Sequence, residues 1–291
     1  MNKQYYTLIT GASQGLGKAL AIECARRNMN LILVSLPEEG LSKLSAYLKA
    51  AYNVNTIAIE IDLCGDGHCQ EVFNHVAVLG LQVNMLINNA GIGGTRFFSE
   101  ECVEHYERQI RLNVLATTII TRSFLEMLKR NAPSHILNVG SLASFFSLAK
   151  KQVYGGTKSY IYYFSKSLRR ELMHEQVFVS VVCPGGMYTN DMVRQTINGG
   201  NYIARASGMM PEDVAPITID GLLGKREVIL PGVINKTFIF LNCVLPRFVV
   251  NFLEIRAMKR MHSPCQVASE PQEKPAHVFP LIPLNTEKII A

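Results

Sequence analysis

The sequence predicts an α/β fold built on one doubly wound parallel sheet with helices on both faces, followed by a C-terminal helical extension. Three observations predict it. Short runs of aliphatic and β-branched residues alternate with longer amphipathic stretches between residues 6 and 182. The runs are apolar throughout rather than at every second position, the pattern of strands buried on both faces. Glycine- and asparagine-rich turns follow directly after these runs, where an open parallel sheet keeps its ligand crevice. With 291 residues, 48% of them apolar, the chain can bury a sizeable core.

The first expected strand, residues 6–10, runs into Thr10-Gly-Ala-Ser-Gln-Gly-Leu-Gly17, which opens a helix over 15–28. Glycine at 11, 15 and 17 permits positive φ and close approach of a ligand to the backbone. The helix start adds unpaired N–H groups and the positive end of its dipole, which suit phosphate. A second strand, 31–35, ends at Ser35, and a helix follows over 38–52. The third strand, 56–61, is followed by Asp62 and Leu63 and then by a helix over 68–79. Asp62 alone reads equally as a turn or cap residue and as a ligand contact.

The fourth strand, 85–88, ends in Asn88-Asn-Ala-Gly91. A long helix is expected over 101–130 with Asn113 in its interior, an unfavourable place for asparagine that implies a compensating role. The fifth strand, 135–139, leads to Asn138-Val-Gly-Ser141, thirteen residues before Tyr154. Tyr154 and Lys158 stand four apart on a helix over 152–175, so phenol and ammonium share one face. A tyrosine of ordinary pKa, about 10, is a poor base at neutral pH. A neighbouring ammonium is expected to lower that value and let the hydroxyl trade a proton. The sixth strand, 178–182, runs into Pro184-Gly-Gly-Met-Tyr-Thr189.

The order and spacing of these motifs resemble the short-chain dehydrogenase/reductase family: Thr-Gly-x-x-x-Gly-x-Gly, Asn-Asn-Ala-Gly, Ser with Tyr-x-x-x-Lys, and Pro-Gly-x-x-x-Thr. Gly140 stands where the family carries the first Ser of Asn-x-Ser-Ser. The resemblance runs from about Thr7 to Gly232 and implies a Rossmann-type domain over 1–232 that interconverts a ketone and a secondary alcohol. It implies a catalytic set of Asn113, Ser141, Tyr154 and Lys158. Ser141 would hold the substrate oxygen, Tyr154 would transfer the proton, and Asn113 would hold a relay water beyond Lys158. Ser144 is the competing serine, three residues out of place. Dinucleotide contacts are implied at Gly11, Ser13, Gln14, Gly15, Leu16 and Gly17, at Ser35, and at Asp62 and Leu63. Further contacts are implied at Asn89, Ala90 and Gly91, at Tyr154 and Lys158, and at Pro184, Gly185 and Thr189.

Family members that prefer NAD(H) usually end the second strand in Asp; here that position is Ser35, with Leu36 and Gln14 neutral beside it. The missing carboxylate favours NADP(H) over NAD(H), with Ser13, Ser35 or Lys43 as phosphate partners. Met187, Met192, Tyr202, Met209 and Met210 follow the sixth strand and suit either a variable apolar pocket or ordinary lid packing.

A net charge of +6 is modest, and no nucleic-acid partner is expected. Seven cysteines without a C-x-x-C pair fit neither a disulfide framework nor a zinc site, so a reducing, cytoplasmic setting without a secretory leader is expected. Between residues 225 and 262 seven Lys or Arg face two Glu. Residues 233–262 read as a basic amphipathic extension too short in its apolar run to span a bilayer. It suits a membrane surface, a cap over the substrate pocket or a subunit interface. Residues 263–291 read as a loosely ordered tail. A lipophilic ketone or acyl thioester (3-oxoacyl or steroid-like) is the expected substrate, and a homo-oligomer the expected assembly. The alternatives are a non-catalytic dinucleotide-binding redox sensor and a membrane-surface scaffold.

Overall fold

The computed structural model describes residues 4–188, 208–246, 248–249 and 255–256. Seven parallel strands form one sheet: β1 (Tyr5–Thr10), β2 (Asn30–Ser35), β3 (Thr56–Glu60), β4 (Gln82–Asn88), β5 (Ser134–Val139), β6 (Val177–Val182) and β7 (Val228–Ile229). Their spatial order is β3-β2-β1-β4-β5-β6-β7. The chain builds outward from β1 to one edge, then returns to the other side of β1 with β4. Strand order therefore reverses between β1 and β4, where such sheets open a crevice beyond their carboxyl ends. Ile9 pairs with Ile87, so Thr10 and Asn88 finish their strands side by side at that point.

The helices are α1 (Gly15–Arg26), α2 (Leu41–Tyr52), α3 (His68–Val78), α4 (Val103–Ile110), α5 (Thr117–Arg130), α6 (Gln152–Glu171), α7 (Pro211–Leu223) and α8 (Val233–Val244). Successive strand residues point to opposite faces, so each apolar strand feeds two cores. Leu20, Leu41, Leu48 and Leu222 of α1, α2 and α7 pack with Ile9, Leu33 and Ile87. Val72, Val76, Ile120 and Phe124 of α3 and α5 pack with Leu8, Ile32 and Leu86 on the opposite face. The doubly wound architecture is the one expected.

Element ends shift by a few residues (α2 begins at Leu41 rather than 38 and α6 ends at Glu171 rather than 175), and two elements differ in kind from expectation. The helix expected over 101–130 is interrupted: after α4, residues Arg111–Ala116 form a π-helical segment before α5 resumes. Wide turns of this kind recur at functional sites, and this one carries Asn113. The second is β7, only two residues long and too short to show any periodicity in the sequence. The start of the expected extension is helical, as α8. Among the described residues no helix is long and apolar enough to cross a membrane.

Candidate active site

The crevice begins with the loop between β1 and α1. Gly11 and Gly15 adopt φ of 64° and 53°, in the left-handed region where a Cβ is penalised. Gly17 is fixed by crowding instead, because a Cβ there would overlap the Gly11 carbonyl oxygen. The turn after β4 clamps this loop. Asn89 Nδ2 donates to the Thr10 and Gly11 carbonyls at 2.9 Å each. Thr10 Oγ1 accepts from the N–H groups of Asn89 and Ala90 at 3.0 Å each. Gln14 occupies the helix N-cap, and its side chain makes no capping hydrogen bond to the first turn of α1. Its leading N–H groups are left to an anionic ligand. Leu16 buries its side chain in the core, so only its backbone faces that ligand. A clamped glycine cradle with uncapped donors fits a pyrophosphate.

Farther along the strand ends the polar side chains are already engaged. Ser35 is buried and donates to the Leu36 carbonyl at 3.0 Å. Asp62 accepts from the Cys64 N–H at 3.0 Å and pairs with Arg108 at 3.2 Å. Those partners outweigh partial burial and hold its carboxyl below the usual carboxylate range. The turn role of Asp62 is thus present in the structure. Leu63 is buried behind it. Ser13 hydrogen-bonds the carboxylate of Glu39, an exposed residue between β2 and α2.

At the other end, Ser141 follows β5 and caps the short turn Leu142–Ser144, its Oγ accepting from Ala143 N–H at 3.1 Å. Tyr154 and Lys158 lie on one face of α6, with the ammonium 5.9 Å from the phenol ring centroid. Lys158 is 6% exposed and donates to the Val139 carbonyl at 2.7 Å. Asn113 is 1% exposed. Its amide grips Ile92 twice, accepting from the N–H at 2.9 Å and donating to the carbonyl at 3.0 Å, and also donates to Thr157 Oγ1 at 3.1 Å. Gly91 leaves room for this packing, since a Cβ there would stand 3.0 Å from Asn113 Oδ1 and 3.5 Å from Lys158 Nζ. Gly140 is explained the same way: a Cβ would come within 3.0 Å of Cys183 Sγ. Ser144, the competing serine, turns away to donate to the Lys158 carbonyl at 2.8 Å. Pro184 is buried and accepts from Leu142 N–H at 2.9 Å, with Gly185 beside it. Thr189, Met192 and Tyr202 lie outside the described residues.

The electrostatics depart from expectation at Tyr154. Burial raises the phenol above its ordinary value, against the hydrogen bond with Ser141 that lowers it. Burial also pushes the Lys158 ammonium down, to about 8. A low-polarity setting disfavours both charged forms, and the lysine spends its short hydrogen bond on a carbonyl rather than on the phenol. The ammonium therefore does not lower the tyrosine here as the four-residue spacing alone suggests.

Several contributors carry no motif of their own. Thr157 links Asn113 to the Tyr154 carbonyl, to which it donates at 2.8 Å. Buried Asn88, Asn138 and Ser165 form a chain of bonds of 2.8 and 2.9 Å beneath the strand ends. Thr10 was visible only as the residue ahead of the glycine loop. Glu39 is invisible as a neighbour of Ser13 until the β2–α2 turn is folded.

A family model described as short chain dehydrogenase matches residues 6–198. The chain is 28% identical over 183 residues to the very-long-chain 3-oxoacyl-CoA reductase of Mus musculus, covering 62% of this chain and only 58% of that protein. It is 28% identical over 229 residues to the NADP-dependent 3-hydroxy acid dehydrogenase of Schizosaccharomyces pombe, covering 77% of this chain and 88% of that one. A solved 7beta-hydroxysteroid dehydrogenase superposes with a TM-score of 0.76 at 22% identity, over 86% of this chain and 96% of the other. That likeness is one of fold.

Proposed function

The chain belongs to the short-chain dehydrogenase family, and on that premise we propose that it interconverts a ketone and a secondary alcohol with a nicotinamide dinucleotide. The observation that carries the reading is the meeting of Ser141, Tyr154 and buried Lys158 beyond the end of β5, against the Gly91 turn that follows β4. The residues from Gly11 to Gly17 would hold the pyrophosphate. Ser35, Asp62, Leu63 and the Asn89–Gly91 turn would line the adenosine side. Lys158, Tyr154, Pro184, Gly185 and Thr189 would border the nicotinamide side. When bound, the dinucleotide supplies or receives the hydride.

The chain's own groups manage the proton. Ser141 and Tyr154 hydroxyls donate to the carbonyl oxygen and stabilise the charge that develops there. Tyr154, neutral because burial raises it, holds the proton that the nascent alkoxide takes. Lys158 keeps one N–H on Val139 and has others for the ribose and the phenol. Asn113 fixes Ile92 and Thr157, and through them the wall of the cleft.

For the cofactor we favour NADP(H): the second strand ends in Ser35 rather than an acid, and the Schizosaccharomyces relative is NADP-dependent. Glu39 at Ser13 opposes a 2′-phosphate, but it is exposed and screened, so the preference is modest. A lipophilic 3-oxoacyl or related carbonyl is the favoured substrate, in keeping with the Mus musculus relative. The exposed Val233, Phe240, Leu241 and Val244 of α8, with Lys236 beside them, favour contact with an anionic membrane surface. Asn242 donates to the Phe145 carbonyl at 3.2 Å, which sets that surface close to the cleft. Exposed Leu115, Ile119, Tyr160 and Tyr163 around α5 and α6 favour a homo-oligomer.

The test is a panel of ketones and acyl thioesters offered with NADPH and with NADH, followed by dinucleotide oxidation. Turnover of at least one member is expected. Tight dinucleotide binding without turnover of any would favour the sensor reading.

A further inference from the structure

We propose that the pocket beside Tyr154 is an anion subsite, which narrows the 3-oxoacyl class favoured above to free acids: a ketone or secondary alcohol bearing a carboxylate close to the reacting carbon, rather than its thioester. The proposal deepens the dehydrogenase reading and rests on it for turnover, not for binding. The pocket is lined by Gly94, Arg96, His105, Lys150, Lys151 and Tyr154, with Glu101 at its side. Two strand-end loops build it, and Arg96 N–H ties them by donating to the Lys150 carbonyl at 3.1 Å.

Lys151 is the central group. Its ammonium stands 5.2 Å from the Tyr154 ring centroid and, among the described residues, donates only to the Gly94 carbonyl, at a long 3.4 Å. It has no ion pair among the described residues. It is half-buried, and burial lowers its pKa. A cation in that position is costly unless an anion meets it. Among the described residues the other charges do not supply one. Glu101 lies 3.9 Å from Arg96 and 3.9 Å from His105, each contact loose. Arg96, Lys150 and Lys151 against one Glu101 leave the pocket net positive. His105 Nε2 is buried without a hydrogen-bond partner in the described structure, 3.2 Å from where a Cβ on Gly94 would stand.

Geometry also limits where the anion sits on the substrate. Lys151 occupies the helix N-cap three residues before Tyr154, its ammonium stands 5.2 Å from the phenol ring centroid, and both line the one small pocket. A carbonyl oxygen on the phenol and a carboxylate on Lys151 must be separated by only a few bonds. A phosphate at the far end of a long carrier arm has no need of this arrangement.

The experiment compares kcat/KM for oxidation of 3-hydroxyhexanoate and of its methyl ester, with NADP+ and NAD+. Calorimetry follows hexanoate binding to the same proteins. A charge-assisted contact predicts that the acid exceeds the ester by about tenfold or more, and that Lys151→Met erases most of that ratio. Lys151→Arg should restore it, which a merely structural lysine would not do. Hexanoate should bind saturably to the native chain and weaken by about tenfold in Lys151→Met. An acid-to-ester ratio near unity, a ratio unmoved by Lys151→Met, or no saturable hexanoate binding overturns the subsite. Lys151-dependent hexanoate binding without oxidation of either compound, together with no turnover across the carbonyl panel, would keep the subsite and sink the dehydrogenase reading.

Discussion

Burial sets the protonation of the two residues at the reacting end. Tyr154 is raised and Lys158 is brought down to about 8, so the neutral phenol prevails throughout the physiological range. The sign matters for direction. A protonated phenol is ready for carbonyl reduction, whereas alcohol oxidation needs the phenolate. Since kcat/KM reports the free enzyme's groups, reduction should hold level near neutrality and decline as pH passes about 8, where Lys158 loses its charge. Oxidation should keep rising on the alkaline side of neutrality. Profiles in both directions check this, and an oxidation plateau below pH 8 would show a phenol lowered rather than raised. Glu39 gives a second residue-scale prediction. One exposed charge near a phosphate is worth about 1 kcal/mol, or roughly fivefold. Glu39→Gln should therefore tighten NADP+ by about fivefold and NAD+ much less, read by equilibrium binding. The sequence displayed Ser13 and Ser35 as candidates but not their partners, because Glu39 reaches Ser13 across a turn and Ser35 is committed to Leu36.

At the scale of elements, most of the architecture was legible because each inner strand is apolar on both faces and each motif sits at a strand end. Thr10, Asn88 and Val139 close β1, β4 and β5 where the sequence placed them. The failure at 101–130 has a physical source: a π segment keeps helical φ and ψ near those of an α-helix, so apolar spacing hardly registers it. What did register was Asn113, the polar residue out of place in a helix, and its amide proves to hold Ile92 and Thr157. Close approach was legible as glycine but not as its cause. Gly17 is glycine because the Gly11 carbonyl occupies the space of a side chain. Gly17→Ala should push the two turns apart, weaken dinucleotide binding by about tenfold or more and lower the melting temperature, as overpacking by about 1–3 kcal/mol implies. Calorimetry and thermal unfolding read both; unchanged affinity would mean the loop does not carry the pyrophosphate.

For the whole molecule, strand order β3-β2-β1-β4-β5-β6-β7 gathers residues from positions 11 to 185 beyond the carboxyl ends of the strands. No window of sequence shows that convergence; the resemblance supplied it and the topology explains it. The C-terminal extension is where the least could be read, since one apolar helix face serves a membrane, a lid or a subunit equally. Phe240 is 64% and Val244 64% exposed on α8. Vesicles containing anionic lipid should co-sediment the chain several-fold better than neutral ones, since basic residues add about 1 kcal/mol each near a charged surface. Phe240→Glu should remove the effect. Equal sedimentation by both vesicle types, or a change in oligomeric state alone on substitution, would contradict membrane contact.

The proton-transfer geometry is tested most directly by Tyr154→Phe, assayed on the best substrate of the carbonyl panel alongside dinucleotide affinity. Loss of about a hundredfold to ten-thousandfold in kcat/KM is expected, with dinucleotide binding nearly intact. Turnover within a few-fold of the native chain would contradict the assignment of the phenol as proton donor.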